Sequence, residues 1–146
     1  MYYKVLKTKK YFFEEGENEM VVSSKISNSE WEVMKCVWDN TLCTANEIVG
    51  TLSKTTDWKA STIRTLINRL VKKEVLGYNI DEKDKKTYYY FPLLSENECI
   101  KTESESFINR VFNGSLNGMI ASFINESNLS DEEIKELKNI LDKKKG

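Results

Sequence analysis

From Ser27 onward, apolar residues recur at helical spacing; before it they come in blocks with no period. Ser27-x-x-Glu30 has the form of a capping box, in which a hydroxyl and a carboxylate exchange hydrogen bonds with backbone amides at a helix start. Trp31, Met34, Val37 and Trp38 follow on one helical face, and Asp39-Asn40 closes the run. Thr44 is placed to cap a second, shorter helix with Ile48, Val49 and Leu52 apolar. Ser53 to Asp57 is a polar connector. A third helix is predicted from about Lys59 to Lys73, with Ile63, Leu66, Ile67, Leu70 and Val71 on one stripe. The period then changes. Val75 to Ile80 is extended, residues 81–86 form a charged loop, and Thr87-Tyr88-Tyr89-Tyr90-Phe91 is β-prone and closed by Pro92. Three helices and a two-stranded ribbon are the layout of a winged helix-turn-helix.

A second helical section follows. Ser95-x-x-Glu98 caps a helix with the sparse apolar positions Ile100, Phe107 and Val111, and Asn113-Gly114 breaks it. Ser115 opens another with Leu116, Met119, Ile120, Phe123 and Ile124. Ser130-x-x-Glu133 caps the last, with Ile134, Leu137, Ile140 and Leu141. Three such thin stripes bury too little surface to stand alone, so a second copy of the chain is expected to cover them. The fold class is therefore mainly α. Residues 25–93 form the winged helix and residues 94–146 a helical dimerisation region. Residues 1–24 are expected to be either a disordered arm or a mistranslated leader. In the second case the native protein starts at Met20, behind a purine-rich stretch encoding Glu14-Glu15-Gly16-Glu17.

Composition narrows the chemistry. The chain has 146 residues, a net charge of −1 and no histidine, which removes the commonest general base and metal ligand. No phosphate-binding Gly loop or nucleophile motif is present, so an enzyme is not expected, nor a cofactor or a metal. Cys36, Cys43 and Cys99 have neither disulfide-framework nor zinc spacing and fit a reducing cytoplasm. No apolar run has the length of a membrane span. The small net charge hides an asymmetry. Residues 59–86 hold eight Lys or Arg against four acids, whereas residues 95–146 hold seven against ten. Only one end of the chain is suited to an anionic partner.

The third helix is where that partner would bind. With its stripe turned inward, Ser61, Thr62, Thr65, Asn68, Arg69 and Lys72 lie on the outer face and Arg64 on its flank. There is no acid between Lys59 and Lys73, and Ser and Thr are poor helix formers to spend on a merely solvated surface. Such a face fits a DNA major groove, with hydroxyls and Arg meeting base edges. Lys72 and Lys73, farther along, and Lys83, Lys85 and Lys86 on the wing suit phosphates, which add affinity without sequence information.

Ser29-Glu30-Trp31-Glu32-Val33-Met34 with Val37-Trp38, the run from Trp58 through Thr62 to Lys73, and Phe107 to Phe112 followed by Leu129 to Leu137 resemble, in order, three blocks of the penicillinase repressor family. The likeness covers about residues 25–143 and is strongest to the methicillin-resistance repressor within that family. The resemblance implies a homodimeric repressor of β-lactam-resistance genes on a palindromic operator, with the C-terminal helices as the dimerisation unit. It also implies induction by a membrane sensor metalloprotease, with cleavage in the first dimerisation helix. The family's Asn-Phe bond corresponds here to Ser106-Phe107, and its Ser-Pro-Lys ahead of the recognition helix to Lys59-Ala60-Ser61. No small-molecule ligand is expected. The competing classes are a helical interaction module without DNA binding and a winged-helix regulator that responds to a ligand rather than to proteolysis.

Overall fold

The structure is a computed structural model that describes Tyr2–Lys4 and residues 26–145. In chain order its elements are β1 (Tyr2–Lys4), α1 (Asn28–Asn40), β2 (Cys43–Thr44), α2 (Ala45–Leu52), α3 (Ala60–Lys72), β3 (Leu76–Ile80), β4 (Tyr88–Pro92), α4 (Glu96–Phe112), α5 (Leu116–Glu126) and α6 (Asp131–Lys145). Contacts divide them into two compact units, Met1–Glu103 and Ser104–Gly146.

The first unit is a winged helix. Val33, Met34 and Val37 of α1, Ile48 and Leu52 of α2, and Ile63, Leu66, Ile67 and Leu70 of α3 are buried together with Val75, Leu76 and Tyr90. The i, i+3, i+4, i+7 stripe of α3 is thus its core face. Val71 is only half-buried at the edge of this cluster. Four helix starts among the described residues are fixed by reciprocal caps, those of α1, α2, α4 and α6. Ser27 Oγ accepts the Glu30 amide at 3.1 Å while Glu30 Oε1 accepts the Ser27 amide at 2.9 Å. Thr44 and Glu47 repeat the arrangement at 3.2 and 2.8 Å.

The first cap has a second role that its spacing does not announce. Glu30 is 1% exposed, and its Oε1 also accepts from the Lys73 ammonium at the end of α3. A carboxylate buried that deeply requires a cationic partner, and Lys73 supplies it across 43 positions of sequence.

The sheet differs from the expected two-stranded ribbon. It has four strands in the order β1-β3-β4-β2, all antiparallel. β3 and β4 pair over their full length, from Leu76 opposite Pro92 to Ile80 opposite Tyr88. β2 joins β4 through Cys43–Tyr90 and Thr44–Tyr89, and β1 joins the other edge of β3. A two-residue strand carries no readable period, and an open edge pairs with whatever extended backbone reaches it. Tyr2–Lys4 therefore form a strand where an arm or leader was expected. The rest of that expectation, residues 5–24 with the start at Met20, lies outside the described residues. Gly77 in β3 faces Phe91 so closely that a Cβ there would sit 2.9 Å from the ring.

The expected division at 93/94 also moves. The Trp38 indole donates to the Leu94 carbonyl at 3.0 Å, Leu94 packs on the core, and Cys99 is buried. The chain stays tied to the first unit past Pro92, and the boundary falls inside α4.

The second unit is thinly packed. Phe107, Phe112 and Phe123 form an aromatic cluster with ring centroids 5.9 to 6.4 Å apart, and the Arg110 guanidinium lies 5.9 Å from the Phe107 centroid. No residue of α5 or α6 is buried. Leu116, Phe123, Ile124, Ile140 and Leu141 are exposed, Ile140 to 63%.

Glu30→Gln keeps the size of the side chain but removes the buried carboxylate charge that faces Lys73. It should lower the stability of the folded chain by about 2 kcal/mol. The check is a lower urea midpoint with an unchanged slope.

Candidate nucleic-acid interface

The outer face of α3 is built by its own periodicity. Burial of Ile63, Leu66, Ile67 and Leu70 leaves Ser61, Thr62, Arg64, Thr65, Asn68, Arg69 and Lys72 exposed. The helix begins at an exposed Lys59 that makes no side-chain cap, and no acid lies in the first turn. The Thr65 hydroxyl donates to the Ser61 carbonyl at 3.0 Å. Its proton is thus engaged inside the helix, leaving an oxygen lone pair and a methyl group facing out.

Lys73 stands apart from the other cations expected at phosphates. Its side chain is about three-quarters covered and its ammonium is paired with Glu30. The pattern on α3 continues one residue past the face, but the helix ends at Lys72 and turns Lys73 toward α1.

The wing loop is fixed by its own acids. Asp81 Oδ1 accepts the Lys83 amide at 2.8 Å. Asp84 accepts the amides of Lys86 at 2.6 Å and Thr87 at 2.8 Å, and the Thr87 hydroxyl as well. The Thr87 hydroxyl and these amides hold the Asp84 carboxyl below its usual range. Lys83, Lys85 and Lys86 are left exposed on the outside of the loop, with Lys85 at a left-handed φ of 53°. Behind them Tyr78 stacks on Tyr88 at 4.8 Å, with Tyr90 at 6.2 Å from both.

Arg64 connects α3 to α2, because its Nη2 donates to Asn46 Oδ1. Around it lies a cleft of about 310 Å³, lined by Thr44, Asn46, Arg64, Lys86, Thr87 and two tyrosines of β4, Tyr88 and Tyr90. Asn46, Thr44 and Tyr90 escape a reading along the chain. They come from three elements, and no spacing rule links a residue of α2 to one 18 positions later.

Other chemistry is sparse. Burial pushes the Cys36 thiol up and those of Cys43 and Cys99 to about 11, so they are weak nucleophiles. Among the described residues no group of three His, Cys, Asp or Glu is placed to hold a metal ion, and no helix is long and apolar enough to cross a membrane. Ser106 is exposed in α4, and Phe107 next to it belongs to the aromatic cluster. Of the positions expected at a dimer contact, Phe107 and Met119 are half-buried. Ile100, Val111, Leu116, Ile120, Phe123, Ile124, Ile134, Leu137, Ile140 and Leu141 are exposed.

Three helices, an outward cationic face on the third and a β-wing beside it define a winged helix-turn-helix protein. Comparison with known proteins gives a finer assignment. The family model described as penicillinase repressor matches residues 26–143. The methicillin resistance regulatory protein MecI of Staphylococcus aureus is 41% identical over 120 residues, 82% of this chain and 95% of that relative. The penicillinase repressor of Bacillus licheniformis is 40% identical over 121 residues, 83% of this chain and 92% of that relative. Among solved structures, the DNA binding domain of the repressor BlaI is 36% identical, covering 51% of this chain and 87% of that one with a TM-score of 0.44. The chain belongs to the penicillinase repressor family, a family of transcriptional repressors.

Proposed function

We propose that this protein is a DNA-binding repressor of β-lactam-resistance genes that acts as a homodimer in the cytoplasm. The observation that carries this is the outer face of α3, where hydroxyls and cations stand exposed without an acid among them. In this reading α3 enters the major groove. Thr62, Thr65 and Arg69 meet base edges, supported by Ser61 and Asn68. Arg64, Lys59, Lys72 and the wing residues Lys83, Lys85 and Lys86 meet phosphates. Lys73 serves the fold through Glu30 rather than DNA.

The exposed apolar positions of α5 and α6 support dimerisation through the second unit, since water-facing Leu and Ile at this density are stabilised by a partner. A two-fold dimer in turn calls for a palindromic operator with half-sites about one helical turn, or a multiple of it, apart. The Ser106–Phe107 bond is the inducible cleavage site for a membrane sensor metalloprotease. Scission there would detach Phe107 and the aromatic cluster from the preceding part of α4.

Three outcomes test the parts separately. Thr65→Ala should weaken binding to the duplex upstream of the protein's own gene by about tenfold while sparing an unrelated duplex; equal loss on both removes base readout at that position. Leu141→Glu should shift sedimentation equilibrium from dimer toward monomer with the melting of the winged helix unchanged. After β-lactam challenge, intact-mass measurement should find an N-terminal fragment ending at Ser106; an intact chain under full induction excludes cleavage at that bond.

A further inference from the structure

The cleft between α2, α3 and the wing holds a set of groups that the α3 face does not explain. Each can be followed to its hydrogen bonds. Arg64 spends one N–H on Asn46 Oδ1, which leaves the rest of its guanidinium as donor. The same bond fixes the Asn46 carbonyl, so the Asn46 side-chain NH₂ is the end left over. Thr44 Oγ1 accepts the Glu47 amide and therefore keeps its own proton. Tyr90 is 8% exposed, and burial, its largest influence, pushes its phenol above the usual range while Arg64 pulls it partly back. It is a protonated donor, and no hydrogen bond engages its hydroxyl among the described residues. Lys86 adds an ammonium from the wing.

The nearby carboxylates hold backbone amides, and neither Glu47 nor Asp84 lines the cleft. The Glu47 carboxylate accepts the Thr44 amide at 2.8 Å, and Asp84 accepts two wing amides and the Thr87 hydroxyl. What faces the cleft is thus a set of donors, two of them cationic, contributed by β2, α2, α3, the wing loop and β4. An anion with several oxygens would accept from the Tyr90 hydroxyl together with the other donors.

We infer that this cleft seats one backbone phosphate of bound duplex, with Tyr90, Asn46 and Thr44 as neutral donors beside Arg64 and Lys86. The inference rests on the DNA-binding function proposed above and adds three residues to it. A phosphodiester rather than a free anion is favoured because the two cations come from α3 and the wing, the elements that flank the groove-facing surface. The seat also fixes how far α3 is inserted. Arg64 is held by Asn46, so a phosphate gripped there locates the N-terminal parts of α2 and α3 on the same strand.

The test uses the full chain and the duplex upstream of its gene, with ethylation of individual phosphates. Wild-type protein should show one phosphate in each half-site whose ethylation blocks binding. Tyr90→Phe, which retains the ring in the core, and Asn46→Ala, at an exposed position, should each lose about tenfold in affinity on that duplex and on an unrelated one. Interference at that phosphate should weaken. The salt dependence of both variants should match wild type, because no cation is lost, whereas Lys86→Ala should reduce its slope by about 1. Wild-type affinity and an unchanged interference pattern in both neutral variants, with thermal melts confirming the fold, overturn the phosphate seat and leave the repressor function standing. Failure of wild type to bind any duplex at low salt overturns both.

Discussion

The winged helix depends on one buried carboxylate. Glu30 closes the capping box of α1 and accepts from Lys73 at the far end of α3. A cap alone sets where a helix begins. A cap that is also an ion pair sets where a second helix ends, and in a nearly dry environment the pairing is not exchangeable for water. Through it, the first turn of α1 and the last turn of α3 are fixed to each other. The outward direction of the α3 face is then determined at both ends, by Lys73 at its end and by Arg64 with Asn46 near its start.

Much of this was legible from the order of residues, and the exceptions share a cause. The α3 stripe gave its core face correctly because four apolar residues at helical spacing admit only one inward side. The caps at Ser27, Thr44, Ser95 and Ser130 were legible because each is a local exchange over three positions. What escaped was whatever joins distant positions. The pairing of Cys43–Thr44 with β4, the strand at Tyr2–Lys4, the partner of Lys73 and the hold of Asn46 on Arg64 all depend on the completed fold. The division of the chain escaped for a related reason. The hydrophobic pattern changes at Pro92, yet the Trp38 indole bond to Leu94, the packing of Leu94 and buried Cys99 carry the first unit onward.

The two units solve different problems with similar residues. In the first, Leu and Ile close over one another until most are fully covered. In the second, many of the same residue types stand half in water, and three phenylalanines meet. Family membership spans both units, so the contrast is a property of the design and not of a stray appendage. One unit covers its apolar residues and the other leaves many of them exposed.

The wing shows how charge along a chain and charge presented in space can diverge. Its loop reads Asp81-Glu82-Lys83-Asp84-Lys85-Lys86, close to neutral by counting. Two of its acids face inward onto backbone amides, while its three lysines face outward. The aspartates thus act as the loop's scaffold and the lysines as its surface. A polyanion approaching the loop meets a cationic tip whose shape is maintained by the very anions that, on paper, cancel it.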